Sequence, residues 1–343
     1  MSGQSLRLCV NSVSHFMVDF ACALLVFHVS SRCADATALF MAYNACAFAL
    51  QMPIGLAADR LGRNAVVTTA GCALVAGAFA LTALPFAAAV VAGTGNALFH
   101  VGGGLDTLHD SQGRAAPLGI FVSPGALGLF VGGAMDWALF PVALAGLALC
   151  ALGLLLLARA QERLNDSGNP PLRLEGLGHP RALLPALCLF GVVVLRSFTG
   201  MTPDLPWKTG LGWGAASVLA MALGKCAGGF AMDRLGLLPA SLGSLIAAGA
   251  LFLWSSHPLA GLAAIFLFNL SMPMTLAALA RLWPGCQGFA FGTLTFALFC
   301  GFVPVGLGMG ASPPWLLSAL CLVSAALMLP AGRMGKERKF HAG

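Results

Sequence analysis

The chain is poor in charge. Of its 343 residues only 9% are Asp, Glu, Lys or Arg, 12 acidic and 18 basic, where soluble domains carry roughly 25%. So few charges cannot cover a water-facing surface of this size, which excludes a soluble enzyme, a disordered chain and a disulfide-stapled secreted domain. No two of the 11 cysteines form a C-x-x-C pair, and nearly all sit in apolar runs, where Cys acts as a small hydrophobe. The phosphate-cradling run G-x-x-x-x-G-K-[ST] is missing too, so nothing marks an ATP site. What the chain does have is apolar residues, at 59%, and a mean hydropathy of +0.88. It reads as a polytopic membrane protein.

A helix needs roughly 20 mainly apolar residues to cross a bilayer. Apolar runs and breakers predict spans at about 6–30, 36–57, 64–83, 85–104, 115–134 and 137–158. One long hydrophilic stretch follows, with Pro170–Pro171 at its centre, and then spans at about 182–201, 211–231, 237–255, 258–280, 286–309 and 313–330. The expected organisation is a six-helix bundle over 1–160, a cytoplasmic linker over 161–181, a second six-helix bundle over 182–332 and a basic tail over 333–343. Fourteen of the eighteen Lys and Arg then fall on one side, with only Arg32 and Lys208 on the other. By the positive-inside rule both termini are expected in the cytoplasm of a bacterial-type inner or plasma membrane. The first span lacks a small-residue cleavage site and reads as an uncleaved anchor.

An internal echo carries more information. Gly55-Leu-Ala-Ala-Asp59-Arg60-Leu61-Gly62-Arg63 recurs as Gly229-Phe-Ala-Met-Asp233-Arg234-Leu235-Gly236, each position shifted by 174. Both copies follow the second span of their half. A six-span unit present twice in parallel orientation is a transporter architecture. Asp59, at a helix end, is placed to accept hydrogen bonds from a neighbouring helix N-terminus or to pair with an Arg. Gly55 and Gly62 allow close helix approach and a tight turn.

The motif Gly55 to Arg63 resembles the loop after the second span in the major facilitator superfamily. Asn64 and Leu237 depart from the basic residues that the family pattern carries there. Gly93-Thr-Gly95-Asn-Ala97 and the run Gly119, Pro124, Gly125, Gly128, Gly132 and Gly133 resemble the family's span-4 and span-5 stretches. The segment from Asn96 and His100 to Pro124 is similar to that of fosmidomycin-resistance-type exporters. The resemblance implies an all-α membrane protein of 12 transmembrane helices, with two six-helix pseudo-repeats. It also implies alternating access, with Gly55, Asp59, Arg60, Gly62, Arg63, Asp233 and Arg234 as conformational gating residues. Ala89 stands where relatives carry a basic residue, so a proton-coupling role at that position does not transfer.

Charge inside a membrane costs at least about 2.5–3.5 kcal/mol per group, so each instance needs a reason. Asn11, His15 and Asp19 lie four residues apart on one face of span 1, and Asn96 and His100 do the same in span 4. Span 7 carries Arg196, span 8 Lys225 and span 10 Asn269. In the superfamily, spans 1, 4, 7 and 10 line the central cavity, and all of these residues but Lys225 fall on them; the eight together are the expected substrate-binding set. Asp19 and His15 are the expected proton-coupling pair, because a His titrates near physiological pH and burial favours a protonated carboxylate. Two fixed cations opposite one carboxylate favour a small organic anion as substrate, held by Arg196 through a two-pronged hydrogen bond. The alternative is a divalent metal-ion transporter using His15, Asp19 and His100, since imidazole and carboxylate suit first-row metals. An enzyme is not expected: Asp106, His109 and Asp110 lack a nucleophile at convincing spacing. Nor are a cofactor, a resident metal or nucleic acid expected; a monomer in the lipid bilayer, with a small-molecule substrate and protons as partners, is.

Overall fold

The computed structural model describes residues 3–162 and 180–340. The chain forms α1 (Gly3–Ser30), α2 (Ala36–Asn44), a π turn (Ala45–Ala49), α3 (Gln51–Leu61), α4 (Asn64–Ala78) and α5 (Pro85–Asp110). Then come α6 (Ala116–Ala134), α7 (Phe140–Glu162), α8 (Pro180–Met201), α9 (Gly210–Leu235) and α10 (Leu237–Phe252). The last elements are α11 (Pro258–Asn269), α12 (Ser271–Leu282), α13 (Gln287–Gly306) and α14 (Pro314–Phe340). Among the described residues there is no strand, only an isolated bridge between Pro203 and Ser312.

These elements make twelve passes, because α2 and α3 form one broken pass and α11 and α12 another. Eleven are long and apolar enough to span a bilayer. α10 has 16 residues, or roughly 24 Å of helix, and is the short one. Most of the expected linker, 163–179, lies outside the described residues. α14 runs on to Phe340 and takes in most of the segment expected as a separate tail.

Local chemistry sets the breaks. Asp35 caps α2 by accepting from the Ala38 amide, Pro85 and Pro258 open α5 and α11, and Gly62 ends α3 in the left-handed region at φ 62°. A side chain there would be strained. Packing between helices depends on small residues. A Cβ on Gly128 or Gly132 of α6 would meet the backbone carbonyls of Phe16 and Phe20 on α1. Without a hydrophobic force between helices in lipid, such close van der Waals approach holds them together. The large apolar side chains turn outward instead: Leu149, Leu156, Leu184 and Leu259 are all more than half exposed, as suits a surface solvated by acyl chains. This is an integral, multi-pass membrane protein.

The first six passes meet the last six along two lines, α3 against α13 and α6 against α9. A Cβ on Gly55 would run into the Gly288 carbonyl, and one on Gly229 into that of Ala115. Both lines are tightest at the face that carries the two repeated motifs, called the motif face below.

Candidate functional site

Two carboxylates seal the motif face. Asp59, at the end of α3, accepts from the Gly288 and Phe289 amides at 2.8 and 2.9 Å. Asp233, at the end of α9, accepts from the Ala115 and Ala116 amides at 2.7 and 2.9 Å. Each carboxylate therefore caps the first amides of a helix in the other half, where free N–H groups and the helix dipole favour negative charge. The donors are themselves 173 positions apart, 115 to 288 and 116 to 289, so the duplicated motif makes a duplicated contact.

The remaining motif residues divide the work. Gly55 provides the close approach and Gly62 the turn, while Arg60, Arg63 and Arg234 are exposed beside the contacts. A third crossing went unread in the sequence: Arg281 Nη2 donates to the Gly113 carbonyl at 2.6 Å. A carbonyl acceptor carries no sequence signal.

Between the halves lies a cavity of about 360 Å³. His15 and Asp19 come from α1, Asn96 and His100 from α5, Arg196 from α8, Lys225 from α9 and Asn269 from α11. Seven of the eight expected binding residues thus share one chamber. It runs from mid-depth towards Met201, which ends α8 and is half exposed. The opening therefore points away from the motif face. On that opposite side the halves touch through side-chain tips, Met41 at Gly306 and Phe130 at Gly214, rather than through backbone.

Asn11 is the exception. It lines a separate pocket of about 110 Å³ with Thr107, Asp110 and Arg114, nearer the motif face. Periodicity placed it on the His15 face correctly, but one turn back along α1 the neighbouring helices have already closed. The acid and His cluster in α5 has structural tasks: Asp110 pairs with Arg7, and Asp106 accepts from Asn64 at 3.0 Å.

The cavity walls differ in character. On the α1 and α5 side, His15 Nε2 and His100 Nε2 stand 2.8 Å apart, and Asp19 Oδ2 lies 3.3 Å from His15 Nε2. Asn96 Nδ2 donates to Asp19 Oδ1 at 2.9 Å. On the facing side Arg196 is 8% exposed and donates from Nη1 to Thr275 Oγ1 at 3.2 Å. Its guanidinium lines the chamber rather than reaching for headgroups. Lys225 stands on the same side, and Asn269 sits where the tenth pass breaks.

Two polar residues of the second pass, Asn44 and Gln51, lie outside the expected binding set. Both line the cavity, flanking the π turn Ala45–Ala49. The Gln51 amide nitrogen is used by Ala47 O at 2.6 Å, while its buried Oε1 has no partner. The π turn, a feature that recurs at functional sites, is visible only in the structure.

No family model and no curated protein matches the sequence. Solved structures do match. FucP, a major facilitator superfamily transporter solved in an outward conformation, aligns at TM-score 0.65 and 12% identity over 96% of this chain and 98% of that one. The E. coli fucose:proton symporter FucP aligns at 0.59 and 12% over 94% and 97%. The human organic anion transporter MFSD10 aligns at 0.65 and 16% over 96% and 100%.

The chain has the major facilitator superfamily fold. Within that fold the sealed motif face and the chamber beyond it form a cavity accessible from one side.

Proposed function

We propose that this protein is a secondary transporter that moves a small organic anion across the membrane by alternating access, coupled to protons. The observation that carries the reading is the Arg196 side chain. A buried guanidinium in a membrane chamber, beside Lys225 and with one N–H tied to Thr275, calls for an anionic partner that the described residues do not supply. Arg presents a planar fork that matches a carboxylate, phosphate or phosphonate. Asn269 and Gln51 add neutral hydrogen-bonding groups for the rest of the solute.

Asp19 and His15 are the proton-coupling pair in this reading, facing the anion site across the chamber. The motif face is assigned to the cytoplasm, with both termini there, and the working unit is the monomer. Gating follows from the paired caps. The Asp59 and Asp233 contacts hold the motif face shut, and their release lets the halves rock about the chamber, which gives the bistable element that alternating access requires. Its neighbours by fold include a sugar:proton symporter and an organic anion transporter, and both chemistries are compatible with this chamber.

The test is a thermal-stabilisation screen of purified protein against small carboxylates, phosphates and phosphonates. A true ligand at about 100 times its Kd should add about 2.7 kcal/mol of stability by mass action. The same ligand should give no shift with Arg196→Ala. An undiminished shift in that variant overturns the anion assignment.

A further inference from the structure

The paired imidazoles in the chamber present an unmet electrostatic demand. His15 Nδ1 lies 2.7 Å from the Phe121 carbonyl, and His100 Nδ1 lies 2.9 Å from the Asn96 carbonyl. A carbonyl oxygen only accepts, so each Nδ1 carries the ring proton. In the neutral rings the lone pairs therefore sit on the two Nε2 atoms, which face each other at 2.8 Å. Two lone pairs that close repel unless a cation lies between them. Asp19 makes the third corner, with Oδ2 3.3 Å from His15 Nε2 and Oδ1 3.8 Å from His100 Nε2.

We propose that His15, His100 and Asp19 bind one divalent first-row transition ion, and that the ion travels as cargo, chelated by the organic anion. The inference rests on the anion reading above and names its substrate class; ion and coupling proton then compete for the same His15 and Asp19 donors, so cargo binding releases the proton. The donor set of two imidazole nitrogens and one carboxylate suits Zn²⁺ and its neighbours rather than Mg²⁺ or Ca²⁺. The three separations bracket the roughly 3.3 Å expected between ligands bound about 2.0–2.1 Å from a tetrahedral ion.

A shared proton would also satisfy the imidazole pair, with Asp19 as its counter-ion at 3.3 and 3.8 Å, so metal retention is what separates the two occupants. As ligand-to-ligand spacings the same distances are ordinary. The outer shell is also in place. Each imidazole is held by a carbonyl on its other nitrogen, and Asp19 accepts from Asn96, the arrangement that orients metal ligands and sets their tautomers. A Cβ on Gly125 of α6 would collide with His15 Nε2 and Asp19 Oδ2, so glycine keeps this corner clear. All three ligands line the cavity, which leaves coordination positions for donors on the cargo.

Charge decides between bare ion and chelate. A bare dication on His15, His100 and Asp19 has one carboxylate beside it and two fixed cations, Arg196 and Lys225, in the same chamber, so it is held more weakly than a chelate that brings its own negative charge. An anionic chelate turns its free carboxylates to Arg196 and Lys225 while its metal sits on His15, His100 and Asp19. Both walls are then matched at once.

The test uses purified full-length protein in nanodiscs, with Zn²⁺, Co²⁺ and citrate as probes. Wild type should bind one Zn²⁺ by calorimetry and show the visible absorption of low-coordinate Co²⁺, while Mg²⁺ should not compete. His15→Ala and His100→Gln should each weaken Zn²⁺ binding by at least about a hundredfold, the upper end of what loss of an outer-shell partner costs, because each removes a direct ligand. Their thermal unfolding profiles identify any variant that fails to fold, and the Co²⁺ spectrum of wild type needs no variant. Citrate should bind at least about tenfold more tightly, about 1.4 kcal/mol, with one equivalent of Zn²⁺ than without. Arg196→Ala should keep Zn²⁺ binding and lose that gain.

Absent Zn²⁺ and Co²⁺ binding in folded wild type overturns the proposal, as does binding that survives both His variants. Proton uptake at the pair without metal retention assigns the site to a shared proton and overturns it too. Citrate binding that Arg196→Ala abolishes, in a wild type that neither binds Zn²⁺ nor gains citrate affinity from it, would keep the anion reading while the metal site falls. Metal binding lost in His100→Gln, with citrate binding indifferent to Arg196→Ala, would do the reverse.

Discussion

At the scale of single residues, position matters more than type. Gly125 is one of 43 glycines, yet its missing side chain is what lets His15 and Asp19 reach their places. Gly125→Ala should leave the fold intact and weaken ligand stabilisation, because the methyl must displace one of those two side chains. Equal ligand shifts in wild type and variant would show that the corner is not used. Asn96 is a second such point, donating to Asp19 in a buried site. Asn96→Ala leaves a buried acceptor short of a partner, which costs about 1–3 kcal/mol, readable as a lowered unfolding temperature. His15, Asp19 and His100 were all legible as polar intrusions in apolar spans. Their convergence was not, because three side chains from two helices meet only when both helices take particular rotations about their axes. Asn11 shows the converse: its spacing matches theirs, and it still lies in a different pocket.

At the scale of elements, the proposed gate rests on the two caps. Asp59 on α3 meets the N-terminus of α13, and Asp233 on α9 meets that of α6. Asp59→Asn replaces a charge-assisted pair of hydrogen bonds at a helix terminus by a weaker neutral contact, a loss of about 0.3–2 kcal/mol. Spin labels at the exposed Leu61 and Leu235, in a background without the native cysteines, should then show a larger population at long distance. An unchanged distance distribution would remove Asp59 from the gate. Gly55→Val should act more strongly in the same direction, since its side chain overlaps the Gly288 backbone and bars closure outright. The helix ends themselves follow from local chemistry: an Asp cap at α2, prolines at the start of α5 and α11, a left-handed glycine after α3. The breaks inside the second and tenth passes do not. Ala45–Ala49 and Leu270 are apolar, and apolar runs of this kind read as uninterrupted helix.

At the scale of the whole molecule, an even number of passes puts both ends of the chain on one face. Under the proposed topology a fluorescent protein fused after the last residue should fluoresce, and alkaline phosphatase fused at the same place should be inactive. The opposite pattern would invert the assignment of the motif face. The contacts that seal that face join backbone to backbone and carboxylate to amide, whereas those on the far side are side-chain tips. The state seen is accordingly closed at the motif face and accessible from the other.

The number of passes, the lipid-facing surface and the duplicated motif are properties of composition, run length and repetition, all one-dimensional, and the amino-acid sequence determines them unaided. The chamber is different in kind. The pairing of His15 with His100 across 85 positions, the facing lone pairs, the exclusion of Asn11 and the Arg281 contact to a carbonyl depend on how helices rotate and tilt against one another. Small residues such as Gly55, Gly125 and Gly128 set those angles by where they allow backbones to touch. Only the tertiary structure could decide them, because a van der Waals contact between distant segments leaves no periodic trace along the chain.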